Sequence, residues 1–351
     1  MTGWSDRPTH LALSPVAVYE HIGRRVLFVP ARASALKWEL PHWNPNCRVE
    51  HQSQTYSTHG VRRARVGYRL HYQINYPIPD HMDKTSLIEQ FTQSVTVPII
   101  FDHAEKGSAT YASGSLFEIG GRYFLITARH IFEPLSDEYR RQLAYPGDRR
   151  GGALYTFGNF DLCLPTEEHI DVAAMELKSP ETIGQLKKGW QFLSLANVGR
   201  PEMANPGAEY LLAGYPSDDE KHAWVREGNI KGRFLQAYSH MLPQAPAHAE
   251  KPVVKELDLF FDYAKTASEK RSGNQVQTPD LRGTSGCSVW QFVESDNKVW
   301  TAESNMRVIG IQSGFLHTEF FRAKNWWAVA KVLEQVDASL AEEMRETLER
   351  L

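Results

Sequence analysis

Residues 281–290 read LRGTSGCSVW, a serine hydroxyl held between Gly283 and Gly286 ahead of an apolar run. Glycines at such positions serve tight turns, because they accept backbone angles that other residues avoid. A hydroxyl presented on a tight turn is also how an activated nucleophile is displayed, and it then needs a base and an orienting acid elsewhere. The run RYFLITARHIF offers the base: His130 stands at the end of an apolar strand, and imidazole is the usual general base near neutral pH. Taken alone, a histidine placed there is more often a rim residue of the core. An acid is offered twice, by Asp171 in HIDVAAMEL and by Asp161 in NFDLCLP. Such a carboxylate accepts a hydrogen bond from the second imidazole nitrogen, fixes its tautomer and favours the imidazolium. An aspartate heading a strand is more often a turn residue, so neither is decisive by itself.

The elements that must position these residues are short strands. From about residue 94 the chain shows apolar runs separated by turn signals. VTVPIIF is followed by GSLFEIGGRYFLITA, in which Gly120-Gly121 joins two runs as a hairpin. DVAAMEL, EYLLAGYP, NIKGRFLQAYS, LDLFFDYA, CSVWQFV and RVIGIQSGF are further strand candidates. Many strands without alternating helices predict an all-β barrel or sandwich. DKTSLIEQFTQSV reads as one short helix capped by Asp83 or Thr85, and the last stretch, from Asn325 on, reads as helix with a break near Asp337. The connection APAHAEKP, within residues 217–279, reads as an exposed insertion.

Residues 1–82 stand apart as a Pro- and His-punctuated extension with strand-like runs such as RRVLFVP and RVGYRLHYQINY. Arg62, Arg63, Arg65 and Arg69 would suit an anionic ligand, although a solvated strand face explains them better. His42, Cys47, His51 and His59 have no standard metal-ligand spacing.

Composition narrows the field. The 351 residues are 42% hydrophobic and 23% charged, enough for a substantial core without staples. A formal charge of -3 gives no reason to expect nucleic acid or an anionic membrane as partner. Cys47, Cys163 and Cys287 are too few and too scattered for a disulfide framework. The N-terminus has neither the basic start nor the apolar core of a signal peptide, and no run approaches the roughly 18 apolar residues of a membrane span. The expected location is the cytoplasm.

Taken together, Thr127-Ala128-Arg129-His130, Asp171-Val172-Ala173 and Gly283-Thr284-Ser285-Gly286 occur in the order His, Asp, Ser, and they resemble the signature segments of the chymotrypsin-like (trypsin-like) serine peptidases. Gly114-Ser115, Gly214-Tyr215-Pro216 and Val308-Ile309-Gly310-Ile311 are similar to the family's supporting segments, and the resemblance covers residues 94–322. It implies an all-β fold of two packed six-stranded β-barrels, here with an N-terminal extension (1–82), a peptidase domain (83–322) and a C-terminal helical segment (323–351). Arg129 departs from the small residue usual before the histidine, and Cys287-Ser288 replace the common Gly-Pro after the serine motif. The lack of a disulfide set is closer to bacterial intracellular members than to secreted ones.

The resemblance implies His130 as general base, Asp171 as its orienter, Ser285 as nucleophile, and the N–H groups of Gly283 and Ser285 as an oxyanion hole. It places substrate contacts on Asp280 and Leu281, with Pro279 beside them, and on Gln312, Ser313 and Gly314 as far as Phe315. Asp280 points to basic substrates and Phe315 to a filled pocket. The expected activity is endopeptidase, with a protein or peptide substrate, no metal or cofactor, and a regulatory partner engaged through residues 1–82. The alternative is a catalytically silent protease-fold binding module; an esterase-like hydrolase on the same scaffold ranks third. Cys287 sits where an α/β-hydrolase elbow needs its second glycine, so that fold is disfavoured.

Overall fold

Apolar runs of four to eight residues bounded by Gly and Pro favour strands, and the computed structural model of the chain is predominantly β. It describes residues 9–22, 25–30, 83–103, 107–149, 151–217, 228–270, 272–294 and 299–350. The arginine run and the His42, Cys47, His51, His59 scatter lie outside the described residues.

Two strands come first, β1 (Thr9–Ile22) and β2 (Arg25–Pro30), and pair with each other antiparallel. Helix α1 (Lys84–Val95) follows, started by Asp83, whose carboxylate accepts the Ser86 N–H at 2.7 Å. The first curled sheet is then laid down by β3 (Thr96–His103), β4 (Gly107–Ile119), β5 (Arg122–Thr127), β6 (Leu143–Asp148), β7 (Gly151–Thr156), β8 (Phe160–Cys163) and β9 (Ala173–Leu177), with the four-residue helix α2 (Asp137–Arg140) before β6. Its order is β7-β6-β3-β4-β5-β9-β8, antiparallel throughout. Gly120 and Gly121 turn β4 into β5 at φ +57° and +70°, angles that a side chain disfavours.

Helix α3 (Pro180–Gly189), which no reading of the sequence anticipated, leads to the second sheet. That sheet holds β10 (Glu209–Gly214), β11 (Gly228–His240), β12 (Asp258–Asp262), β13 (Thr266–Glu269), β14 (Gln275–Gln277), β15 (Ser288–Phe292), β16 (Met306–Leu316) and β17 (Phe320–Asn325), with the short helix α4 (Ala302–Asn305) before β16. β10 is flanked by β11 and β15, β16 by β15 and β17, and β12 closes on β17. β1 adds to β11 antiparallel and to β13 in parallel. Two curled half-barrels thus follow one another along the chain, each around its own core. Val97, Leu125, Phe132 and Met175 fill the first; Leu212, Leu235, Phe261 and Val289 fill the second.

The last described segment is two helices, α5 (Trp326–Val336) and α6 (Ala338–Arg350), with the break at Asp337 that the sequence indicates. Asp337 ends the first, and its carboxylate takes the Ser339 N–H at 3.0 Å to start the second. Trp326 buries its ring completely against Phe117, centroids 5.0 Å apart, and its indole N–H donates to Val308 O. The helix therefore seals residues drawn from both sheets. Trp326→Ala is expected to destabilise the fold by roughly 3–5 kcal/mol, read from the denaturant midpoint. A loss below about 1 kcal/mol would show that the helix is not docked in solution.

Candidate active site

The strand β5 ends at Thr127, and the chain turns at once through Ala128 and Arg129 into a single 3-10 turn, His130–Phe132. Ile131 and Phe132 are buried, which anchors the turn and leaves His130 at the surface of the first half-barrel. Asp171 precedes β9, whose five residues are all buried, and β9 pairs with β5 from Thr127↔Ala173 onward. That register brings the two side chains together. The His130 N–H donates to Asp171 Oδ1 at 2.9 Å, and His130 Nδ1 lies 2.8 Å from Oδ2. A carboxylate can only accept, so Nδ1 carries the proton and Nε2 is left with its lone pair. Ser285 Oγ is 3.1 Å from Nε2. Asp161 is elsewhere: on β8, its side chain 73% exposed, it pairs with Lys178 at 3.2 Å.

The electrostatics of the pair follow from burial and proximity. Burial of the ring lowers the basicity of His130, but the hydrogen bond and charge of Asp171 outweigh it and hold the imidazole above its ordinary value. Burial likewise favours a protonated Asp171; the hydrogen bond and charge of His130 reverse this and keep the carboxyl below its ordinary range. Arg129 does not crowd the turn. Its guanidinium reaches Pro165 O at 3.2 Å and Glu167 O at 3.3 Å and pairs with Glu133 at 2.8 Å. It thereby ties the histidine turn to the segment that leads into Asp171.

The serine turn is held from three sides. Ser113 N–H donates to Ser285 O at 2.9 Å, and Ser113 Oγ donates to Gly283 O at 3.0 Å while accepting the Tyr215 N–H. The Thr127 hydroxyl donates in turn to Ser113 O at 2.7 Å, so one serine of β4 couples the histidine strand to the serine turn. Nothing local in the sequence marks Ser113 for this role; its partners are 14 to 172 residues away. Arg282 O accepts from Ser217 N–H, and Thr284 O accepts from Cys287 N–H. In a trans peptide the N–H points opposite to the carbonyl, so the N–H groups of Gly283 and Ser285 are turned away from these anchors. Among the described residues neither has an acceptor.

The two glycines have structural reasons of their own. Gly283 has φ +86°, and a Cβ there would lie 2.3 Å from Ser217 N, so the obstacle to a side chain is the chain's own backbone. Gly286 has φ +89°, and its Cβ would lie 1.9 Å from Thr127 Oγ1 and 2.3 Å from Ser113 O. The serine turn is therefore pressed against both half-barrels. Cys287 is fully buried, and burial pushes its thiol far up, which removes it as a competing nucleophile.

A cleft of about 500 Å³ opens beside Ser285 and His130. Ser313 and Gly314 line it, with Phe315 and Leu316 beyond them. Asp280, Leu281 and Gln312 do not. Leu281 is fully buried in the second core, and Gln312, also buried, donates its side-chain amide to Gly314 O at 3.1 Å. Asp280 accepts from Arg282 N–H at 2.8 Å and pairs with its guanidinium at 3.0 Å, so its charge is already matched. His248, Glu250, Lys251 and Pro252 also line the cleft. This is the connection read from the sequence as an exposed insertion, and apart from half-buried Pro246 and buried Ala249 it is exposed. Arg322 fastens it by donating to Glu250 O at 3.1 Å and Pro252 O at 2.6 Å, and Ala249 packs on Phe260 and Phe320.

Among the described residues no group of three His, Cys, Asp or Glu could hold a metal ion, and no helix is long and apolar enough to cross a membrane. No family model and no curated protein matches the chain. Among solved structures, one similar chain comes from work described as "Aromatic interactions drive the coupled folding and binding of the intrinsically disordered Sesbania mosaic virus VPg protein". It is 13% identical, the match covers 68% of this chain and 90% of that chain, and the TM-score is 0.38.

Proposed function

We propose that this chain is a serine endopeptidase of the chymotrypsin-like kind, its two half-barrels corresponding to the two six-stranded barrels of that fold. The observation that carries the reading is the hydrogen-bonded row Asp171–His130–Ser285, with Nδ1 to carboxylate at 2.8 Å and Nε2 to hydroxyl at 3.1 Å. As Ser285 Oγ bonds to the substrate carbonyl carbon, its proton passes to His130 Nε2. The N–H groups of Gly283 and Ser285 receive the oxyanion, where losing one donor typically costs about 100- to 1000-fold. The imidazolium then protonates the leaving amine, the C–N bond breaks, and water repeats the sequence on the acyl-enzyme. No step calls for a metal or cofactor.

Mass spectrometry of new N-termini tests this reading on a mixture of unstructured polypeptides. Wild-type protein should generate termini that the Ser285→Ala protein does not; identical sets from both would reject it. The acidic limb of the activity profile follows from the imidazole. His130 must be neutral to act as base, and its basicity is raised, so activity should be lost as pH falls through a midpoint above 6.5. A midpoint at or below 6.5 would contradict the raised basicity of His130.

Substrate is expected to add as a strand along Ser313–Leu316. β15 pairs with β16 only as far as Ile311, so beyond Gln312 that edge is unpaired among the described residues. The register with β17 slips between Gln312 and Gly314, leaving Ser313 without a ladder partner, and proline is tolerated at such a bulge. Ser313→Pro should therefore fold, keep its reactivity toward small serine reagents and lose peptide cleavage by roughly tenfold or more. Unchanged cleavage by the folded variant would count against strand addition.

A further inference from the structure

Lys324 is 1% exposed, and a buried ammonium requires a counter-ion. Its cross-strand neighbour on β12, Asp258, supplies one, Nζ to Oδ1 2.5 Å. That carboxylate is already engaged. Arg322 holds it with Nε at 2.7 Å from Oδ1 and a second nitrogen at 2.6 Å from Oδ2, and the Val254 N–H donates to Oδ2 at 2.7 Å. One carboxylate thus serves two cations. A positive charge is left over, and both cations line the cleft that holds Asp171, His130 and Ser285.

We propose that Lys324 is a positioning residue for the Asp171–His130 pair: its ammonium offsets the Asp171 carboxylate, keeps it ionised, and makes His130 a weaker base than Asp171 alone would. The ionisation balance agrees. Burial lowers the basicity of Lys324, opposed by Asp258 and Asp171, and Lys324 in turn contributes to holding Asp171 below its ordinary range. Glu133 and Glu250 also raise the basicity of His130, in the same sense as Asp171, and both are common to wild type and variants. Arg129 is paired with Glu133 at 2.8 Å, and His248 sits 3.4 Å from Glu319. Glu168, Glu250 and Lys251 are exposed, and half-buried His169 is common to wild type and variants. The proposal deepens the peptidase reading, on which only its consequence for rate rests; the titration of His130 can be read whether or not the protein cleaves anything.

The test is that titration, followed by NMR of histidine-labelled full-length protein and assigned from the signal lost in His130→Gln. Lys324→Met leaves Asp258 and Arg322 as a balanced bidentate pair, so no buried charge is orphaned and the fold should hold. Its His130 midpoint should move up by roughly 0.5–1 unit. Asp258→Asn removes the counter-ion but keeps both cations, and should move the midpoint down. Lys324→Arg keeps the charge and should restore the wild-type value. An unchanged midpoint in Lys324→Met, or movement in the same direction in Lys324→Met and Asp258→Asn, overturns the proposal. Failure of the serine to react with an active-site reagent would instead overturn the peptidase reading and leave the titration result standing.

Discussion

Asp171→Asn is expected to leave the fold intact and to lower turnover by roughly 10,000-fold. The carboxylate accepts twice from the same residue, from the His130 N–H and from Nδ1. An amide of the same shape keeps the first bond but presents an N–H to Nδ1, which selects the tautomer protonated on Nε2. His130 then has no lone pair for the Ser285 proton, and the imidazolium loses its stabilising charge. Asp161→Asn is the control. It removes one partner of an exposed pair with Lys178, which still has Glu176 at 2.6 Å, so turnover should change less than about twofold. Rates of peptide cleavage for the two variants, each checked for folding by circular dichroism, decide the matter. Collapse in Asp161→Asn with normal turnover in Asp171→Asn would show the wrong acid has been chosen.

Gly283→Ala should cost about 100- to 1000-fold in reactivity, the loss of one oxyanion donor, in a protein that still folds. The residue sits at φ +86°, and its new Cβ would meet Ser217 N at 2.3 Å and Tyr215 O at 2.9 Å. These are backbone atoms that cannot rotate away, so the 282–284 segment must move and carry the Gly283 N–H with it. The Ser285–His130 contact is made by side chains, at 3.1 Å, and should survive. The rate of inactivation by a small serine reagent measures the effect directly. An undiminished rate would mean that the Gly283 N–H contributes nothing to the site.

The segments legible in the sequence were those whose structure is set by their neighbours along the chain. The Gly120-Gly121 hairpin, the Asp83 cap, the strand that ends at Thr127 and the glycine-flanked serine all depend on local conformation. What escaped was decided across space. β6 contains Pro146 and Gly147 and β8 is four residues long, so neither carries a period-two signal. β17, FFRAKN, hides two charged side chains in a sheet because Asp258, more than sixty residues away, receives both. The same cause hid the surroundings of two residues expected to contact substrate. Asp280 was read as an open charge, yet Arg282 takes it, and Leu281 was read as lining although it completes a core. Ser113 was passed over because a serine in a strand has no pattern that reveals partners from both half-barrels.

The most direct measurement is covalent labelling of the full-length protein with a fluorophosphonate. The reagent's phosphorus stands where the attacked carbonyl carbon would be, and its oxygen occupies the position between the Gly283 and Ser285 N–H groups. Wild-type protein should carry one adduct, located on Ser285 by peptide mass mapping, and Ser285→Ala and His130→Ala should each nearly abolish it. A wild-type protein that stays unlabelled, or an adduct that persists in Ser285→Ala, would contradict the assignment of Ser285 as nucleophile.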